Sequence, residues 1–168
     1  MKEDAADNPR TQKTPTGPYR HFQKFDASAY AEVNAALKLH SLLTAREWVI
    51  ARLCADLADA SGRAPMSYIG GHLGELVPFM EGSYSRQDVA AARAAFRRKV
   101  ERCAATFFYA YYSGLLSLDE MVEVVHSSIG HMRPLLALDG RQPPQDISPR
   151  AQALLAQFLQ NVSRELEK

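Results

Sequence analysis

The chain is short of cysteine, of net charge and of long apolar runs. Its two cysteines, Cys54 and Cys103, stand far apart among apolar neighbours, too few for the disulfide framework of a small secreted domain. A reducing, cytoplasmic setting is expected. Lys and Arg number 20 against 19 Asp and Glu, a formal charge of +1, so no global field draws the molecule toward nucleic acid or an anionic membrane. Any such attraction must come from a local patch. The longest mostly apolar run, 104–116, is too short and too rich in tyrosine to cross a bilayer. The opening MKEDAADNPR lacks the basic-then-apolar order of a secretory signal, and no membrane partner is expected.

Catalytic and cofactor motifs are equally scarce. SYIGGHLG matches neither a P-loop nor a dinucleotide fingerprint. Glu123 and His126 form one Glu-x-x-His pair, but a di-iron carboxylate bundle needs a second such pair and two further carboxylates. His72 and Glu75 lie three apart with no nucleophile beside them, and His40 and His131 read as ordinary helix residues. The expectation is therefore a protein that is not an enzyme and holds no cofactor and no metal.

What the chain does have is apolar content, 46% of its residues, enough for one real core in a domain of this size. Residues 1–18 are almost devoid of apolar side chains, so burial cannot offset the entropy of ordering them. They read as a disordered tail ahead of a single domain over 19–168.

Helical punctuation follows. Thr44/Glu47, Ser85/Asp88 and Ser117/Glu120 each place a hydroxyl three residues before an acid, the pattern in which both side chains satisfy free N–H groups at a helix start. Ser148 before Pro149 marks a fourth start. Apolar residues then recur at helical spacing: Ile50, Leu53, Cys54 and Leu57; Val89, Phe96, Val100, Cys103 and Phe107; Leu154, Leu155, Phe158, Leu159, Val162 and Leu166. Further helices over 27–39 and 67–76 bring the expectation to an all-α bundle of about six. Gly62, Gly114 and Gly140 read as stops, and Pro134 as a kink or break in the fifth helix.

The segment SRQDVAAARAAFRRKVER carries six cations against two acids. Arg86, Arg93 and Arg97 share one side of the helix beside its apolar stripe, and the alanines between them keep that side slim. With Arg98 and Lys99 they form a candidate phosphate-contacting surface. The helices before it give a helix-turn-helix-like order, although VPFMEGSYS is longer than the tight turn of such motifs. The plainer account is a solvated face whose long stems cover apolar surface. Nucleic acid, DNA before RNA, is the leading partner on this reading, with transcriptional regulation as the purpose.

The rival class is an interaction or scaffold module. Trp48 and Arg52 fall opposite Ile50, Leu53 and Leu57, where an exposed Trp beside an Arg would anchor a partner; the alternative is that another helix covers the Trp. TFFYAYYSGLL, 106–116, puts aromatics on every side of one helix, the mark of a central helix or of an interface such as a homodimer contact. Finally, TAREWVIARLCADL, ELVPFM and ATFFYAYYSGL, in this order, resemble a family of small uncharacterised proteins of haloarchaea and methanogens, over about Tyr19–Gly140. The resemblance implies an archaeal cytosolic protein and carries no reaction, ligand or site residue.

Overall fold

A computed structural model describes residues 22, 24–141 and 149–168. Every regular element among them is an α-helix: α1 (Tyr30–His40), α2 (Ala45–Asp56), α3 (Met66–Gly71), α4 (Leu73–Leu76), α5 (Arg86–Tyr112), α6 (Leu118–Leu138) and α7 (Pro149–Leu166). The expected tail over 1–18 lies outside the described residues, as does Ser148. The short helix expected over 67–76 is two, divided at His72, which caps both.

All three capping boxes form. Thr44, Ser85 and Ser117 each accept from the N–H three residues on, and Glu47, Asp88 and Glu120 reach back to the N–H of the cap. Each cap satisfies donors that would otherwise be stranded at the first turn, a contribution of about 1 kcal/mol per helix. Gly114 and Gly140 follow the last residues of α5 and α6 with φ of +71° and +69°, where an L side chain is strained and glycine is not. Pro134 does not split α6, which runs unbroken through it. The missing N–H falls in the last turns, so one helical bond is lost without ending the helix.

The core is built from the first half of the chain. Phe22, Leu37, Val49, Ile50, Leu53, Ile69, Leu73, Val77 and Phe79 are fully enclosed, and α5 contributes only Val89 and Ala92 from its first two turns. From α6, Leu135 and Leu138 return to pack against this cluster. The chain thus leaves the core along α5, turns at 113–117 and comes back along α6, which packs against α1; the outer part of α5 and α6 forms an arm. At 1.5 Å per residue the 27 residues of α5 extend about 40 Å, well beyond what α1 to α4 can cover.

The aromatic helix turn is thus not central. Tyr109, Tyr111 and Tyr112 are exposed, as is Val100 of the expected apolar stripe. The spacing correctly marks a helix, but among the described residues α7 touches that end of the fold at Phe108 and Tyr112 without covering these tyrosines.

Candidate functional site

The structure distributes the basic residues of α5 unevenly. Arg86 and Arg93 are exposed and form no ion pair among the described residues. Arg97 is exposed and pairs with Glu101, 2.9 Å away on the next turn. Arg98 lies well round the helix from Arg93 and Arg97 and borders a cleft between α1, α2 and α5. Lys99 is not available as a phosphate contact: its Nζ donates to Glu47 Oε2 at 2.6 Å and to the Leu42 carbonyl at 2.7 Å. A side chain held by a buried carboxylate and a main-chain oxygen would have to give up both to reach a phosphate. No tight turn introduces the basic helix either, since 77–85 separates it from α4.

Glu47 sits at the centre of that arrangement. Burial pushes its carboxyl pKa up, but the Lys99 ammonium and the N–H and hydroxyl of Thr44 outweigh burial and leave it below its ordinary value of 4.5. A carboxyl whose pKa is depressed on folding adds stability above its ordinary value, and that stability is lost as pH falls through the folded value. Asp88 and Glu120, held by Ser85 and Ser117, act in the same sense. The unfolding temperature should accordingly hold from neutral pH to about 4.5 and fall below it. Lys99→Met should flatten the acid limb, as followed by circular dichroism.

Trp48 is not an exposed anchor. It is 8% exposed, and its ring meets those of Phe22 and Phe25 edge-on at centroid distances of 5.2 and 6.4 Å. The side of α2 opposite Ile50 and Leu53 is covered by the segment preceding α1, so both sides of this helix are interior. Arg52 is likewise committed within the fold. Its Nε and one terminal nitrogen donate to the two oxygens of Asp139 at 3.0 and 2.5 Å, and its other terminal nitrogen lies 3.4 Å from Asp56. Asp139 is itself buried and also takes Arg141 at 3.0 Å. This fork, with Lys24 donating to the Leu138 carbonyl at 2.9 Å, fastens the returning end of α6 to α2 and to the segment ahead of α1.

The arm presents a different surface. Along α6, Leu118, Val122, Val125, Ile129 and Met132 recur at alternating spacings of four and three and are all exposed, Leu118 at 64% and Val122 at 62%. That is the seam of a coiled coil without a partner. Beside the seam Met121 is buried, and further round the helix Leu135 and Leu138 pack against the core. At the tip the seam runs into an apolar hollow of about 290 Å³ bounded by Phe107, Phe108, Tyr111 and Tyr112 of α5. From α7, Phe158 meets Phe108 at a centroid distance of 5.8 Å and Ser163 meets Tyr112 at 3.3 Å, leaving the seam open. The four-and-three spacing is visible in the sequence, but only the fold shows that this stripe stays exposed.

No group of three or more side chains suited to hold a metal ion occurs among the described residues, and no described helix is long and apolar enough to cross a membrane. Cys54 and Cys103 are free, the first buried and the second exposed. Burial pushes the Cys54 thiol up, with the nearby Arg93 opposing.

Comparison with curated proteins and with solved structures finds no match. One family model, described as a family of unknown function (DUF5806), matches residues 21–168. The match runs past Gly140, where the resemblance in the sequence phrases ends, and takes in α7. The chain belongs to this family of unknown function, whose match spans the core, the arm and α7.

Proposed function

We propose that the protein is a self-associating interaction module in which the α5–α6 arm pairs antiparallel with the arm of a second copy. The observation that carries this reading is the exposed seam on α6, five large apolar residues in coiled-coil register along a helix about 30 Å long. Isolated exposed apolar residues need no explanation, but a continuous stripe of them does. The occupant follows from charge. Asp119, His126 and Arg133 flank the seam at every seventh position, acid at the tip and base near the core. An antiparallel two-fold pairing sets Asp119 of each copy against Arg133 of the other, so the face complements itself. A parallel pairing brings no such charges together. Free thiols suit a cytoplasmic setting for such an assembly.

Light scattering coupled to gel filtration tests this on the full chain. The wild type should run as a dimer at micromolar concentration. Val122→Glu with Ile129→Glu should weaken association by about a hundredfold or more, since carboxylates would be buried in the seam, with helicity unchanged. Asp119→Arg and Arg133→Asp should each weaken the dimer, and the two together should restore it. A monomeric wild type, or a double swap no better than the single ones, would remove the proposal and leave α7 of the same chain as the cover.

A second reading rests on Arg86 and Arg93, which like Arg98 and Arg102 are exposed cations of α5 without an ion pair among the described residues. On that reading α5 contacts nucleic-acid phosphates, DNA first, in a transcriptional regulator. Labelled duplex titrated against the same samples separates the two, because phosphate contacts weaken steeply with salt whereas an apolar seam does not.

A further inference from the structure

The cleft between α1, α2 and the first half of α5 has a volume of about 570 Å³ and is lined by polar and apolar surface in about equal measure. Three exposed cations border it, each from a different helix: Lys38, Arg46 and Arg98. Lys38 and Arg98 form no ion pair among the described residues, and Arg46 lies over the Tyr84 ring, 5.0 Å from its centre. Two acids also reach the cleft: Asp88 offsets part of the Arg46 charge, while Lys38 and Arg98 have no acid paired with them among the described residues. Glu47 is taken by Lys99 and the Thr44 N–H, and Asp88 accepts from the N–H and hydroxyl of Ser85 at 2.9 and 2.7 Å. The floor is formed by Ala91, Ala92 and Ala95, which keep the space open.

We infer that this cleft binds the phosphate group of a small phosphorylated ligand. An anion seated among these side chains would gain charge-assisted hydrogen bonds from guanidinium and ammonium groups. The volume suits a molecule of nucleotide size. The cleft is open to solvent, so a small anion can reach all three helices that bound it. The arm and its seam play no part, so this inference stands apart from self-association.

Isothermal titration calorimetry on the full chain, with inorganic pyrophosphate and AMP as probes and adenosine as the uncharged control, tests it. At least one phosphorylated probe should bind and adenosine should not. Arg98→Gln should weaken binding about tenfold, in line with the loss of one charge-assisted contact. Ala95→Leu should abolish binding by filling the cleft while leaving every charge in place. Arg93→Gln, which removes a cation of the same helix outside the cleft, should leave it unchanged. All three sites are at or near the surface, and equal unfolding temperatures will confirm intact folds. Absence of heat with both phosphorylated probes would overturn the inference. So would equal losses in Arg93→Gln and Arg98→Gln, which would indicate only a diffuse field. Full binding in Ala95→Leu, or duplex DNA displacing the probe and binding that variant normally, would assign the cations to an open surface and overturn it as well.

Discussion

Trp48→Ala should unfold at a markedly lower urea concentration, with a loss of about 3–5 kcal/mol. The indole is nearly enclosed and serves as the hub of an aromatic cluster, meeting Phe22 and Phe25 edge-on, while those two rings meet Phe79 at 6.4 and 5.6 Å. Truncation removes the contacts with two rings at once and leaves a cavity that rigid helices cannot close. The segment ahead of α1 should loosen with it, since Phe22 and Phe25 are its attachments to the core. Circular dichroism melts in urea give the size of the effect, and amide exchange around Phe25 gives its location. A stable Trp48→Ala protein with an unchanged midpoint would contradict the packing described for α2.

Gly70→Ala should be nearly as damaging, by about 3 kcal/mol, despite adding one methyl group. A Cβ at this position would collide with the Tyr84 carbonyl oxygen and press on the Ser85 carbonyl, 3.3 Å away. Both are main-chain atoms and cannot rotate aside. Tyr84 N–H also donates to the Gly70 carbonyl at 3.1 Å, so the contact is the seam at which 77–85 is stapled across α3 before α5 begins. Neighbouring Gly71 has open space around its missing Cβ, and Gly71→Ala should be close to neutral or slightly stabilising through helix propensity. A thermal melt of the pair separates a packing requirement at Gly70 from a general need for flexibility in this short helix. Equal midpoints would argue against the close approach.

These two positions show where local reading of the chain stops. Trp48 lies opposite the apolar side of α2, and by that helix's own pattern it belongs outside. Its burial depends on Phe22 and Phe25, which arrive from a segment with no helical period to announce it. Nothing local marks Gly70, whose role is set by a loop that returns some fourteen positions later. Arg52 and Lys99 follow the same logic. Each is a cation on a helix that looks free in sequence, and each is claimed by a partner far along the chain, Asp139 and Glu47.

By itself the sequence determined the helical class, the starts of α2, α5 and α6, and the glycines that end α5 and α6. These depend on interactions within one turn or a few residues: a hydroxyl reaching an N–H three positions on, or a backbone angle that only glycine tolerates. Tertiary structure decided which faces those helices hide. It closed the core over α1 to α4 and the first turns of α5, left the α6 seam bare, and gathered Lys38, Arg46 and Arg98 around one cleft. Burial and charge neutralisation are properties of neighbours brought together from distant parts of the chain, and helical period records only which residues can share a face, not what that face will meet.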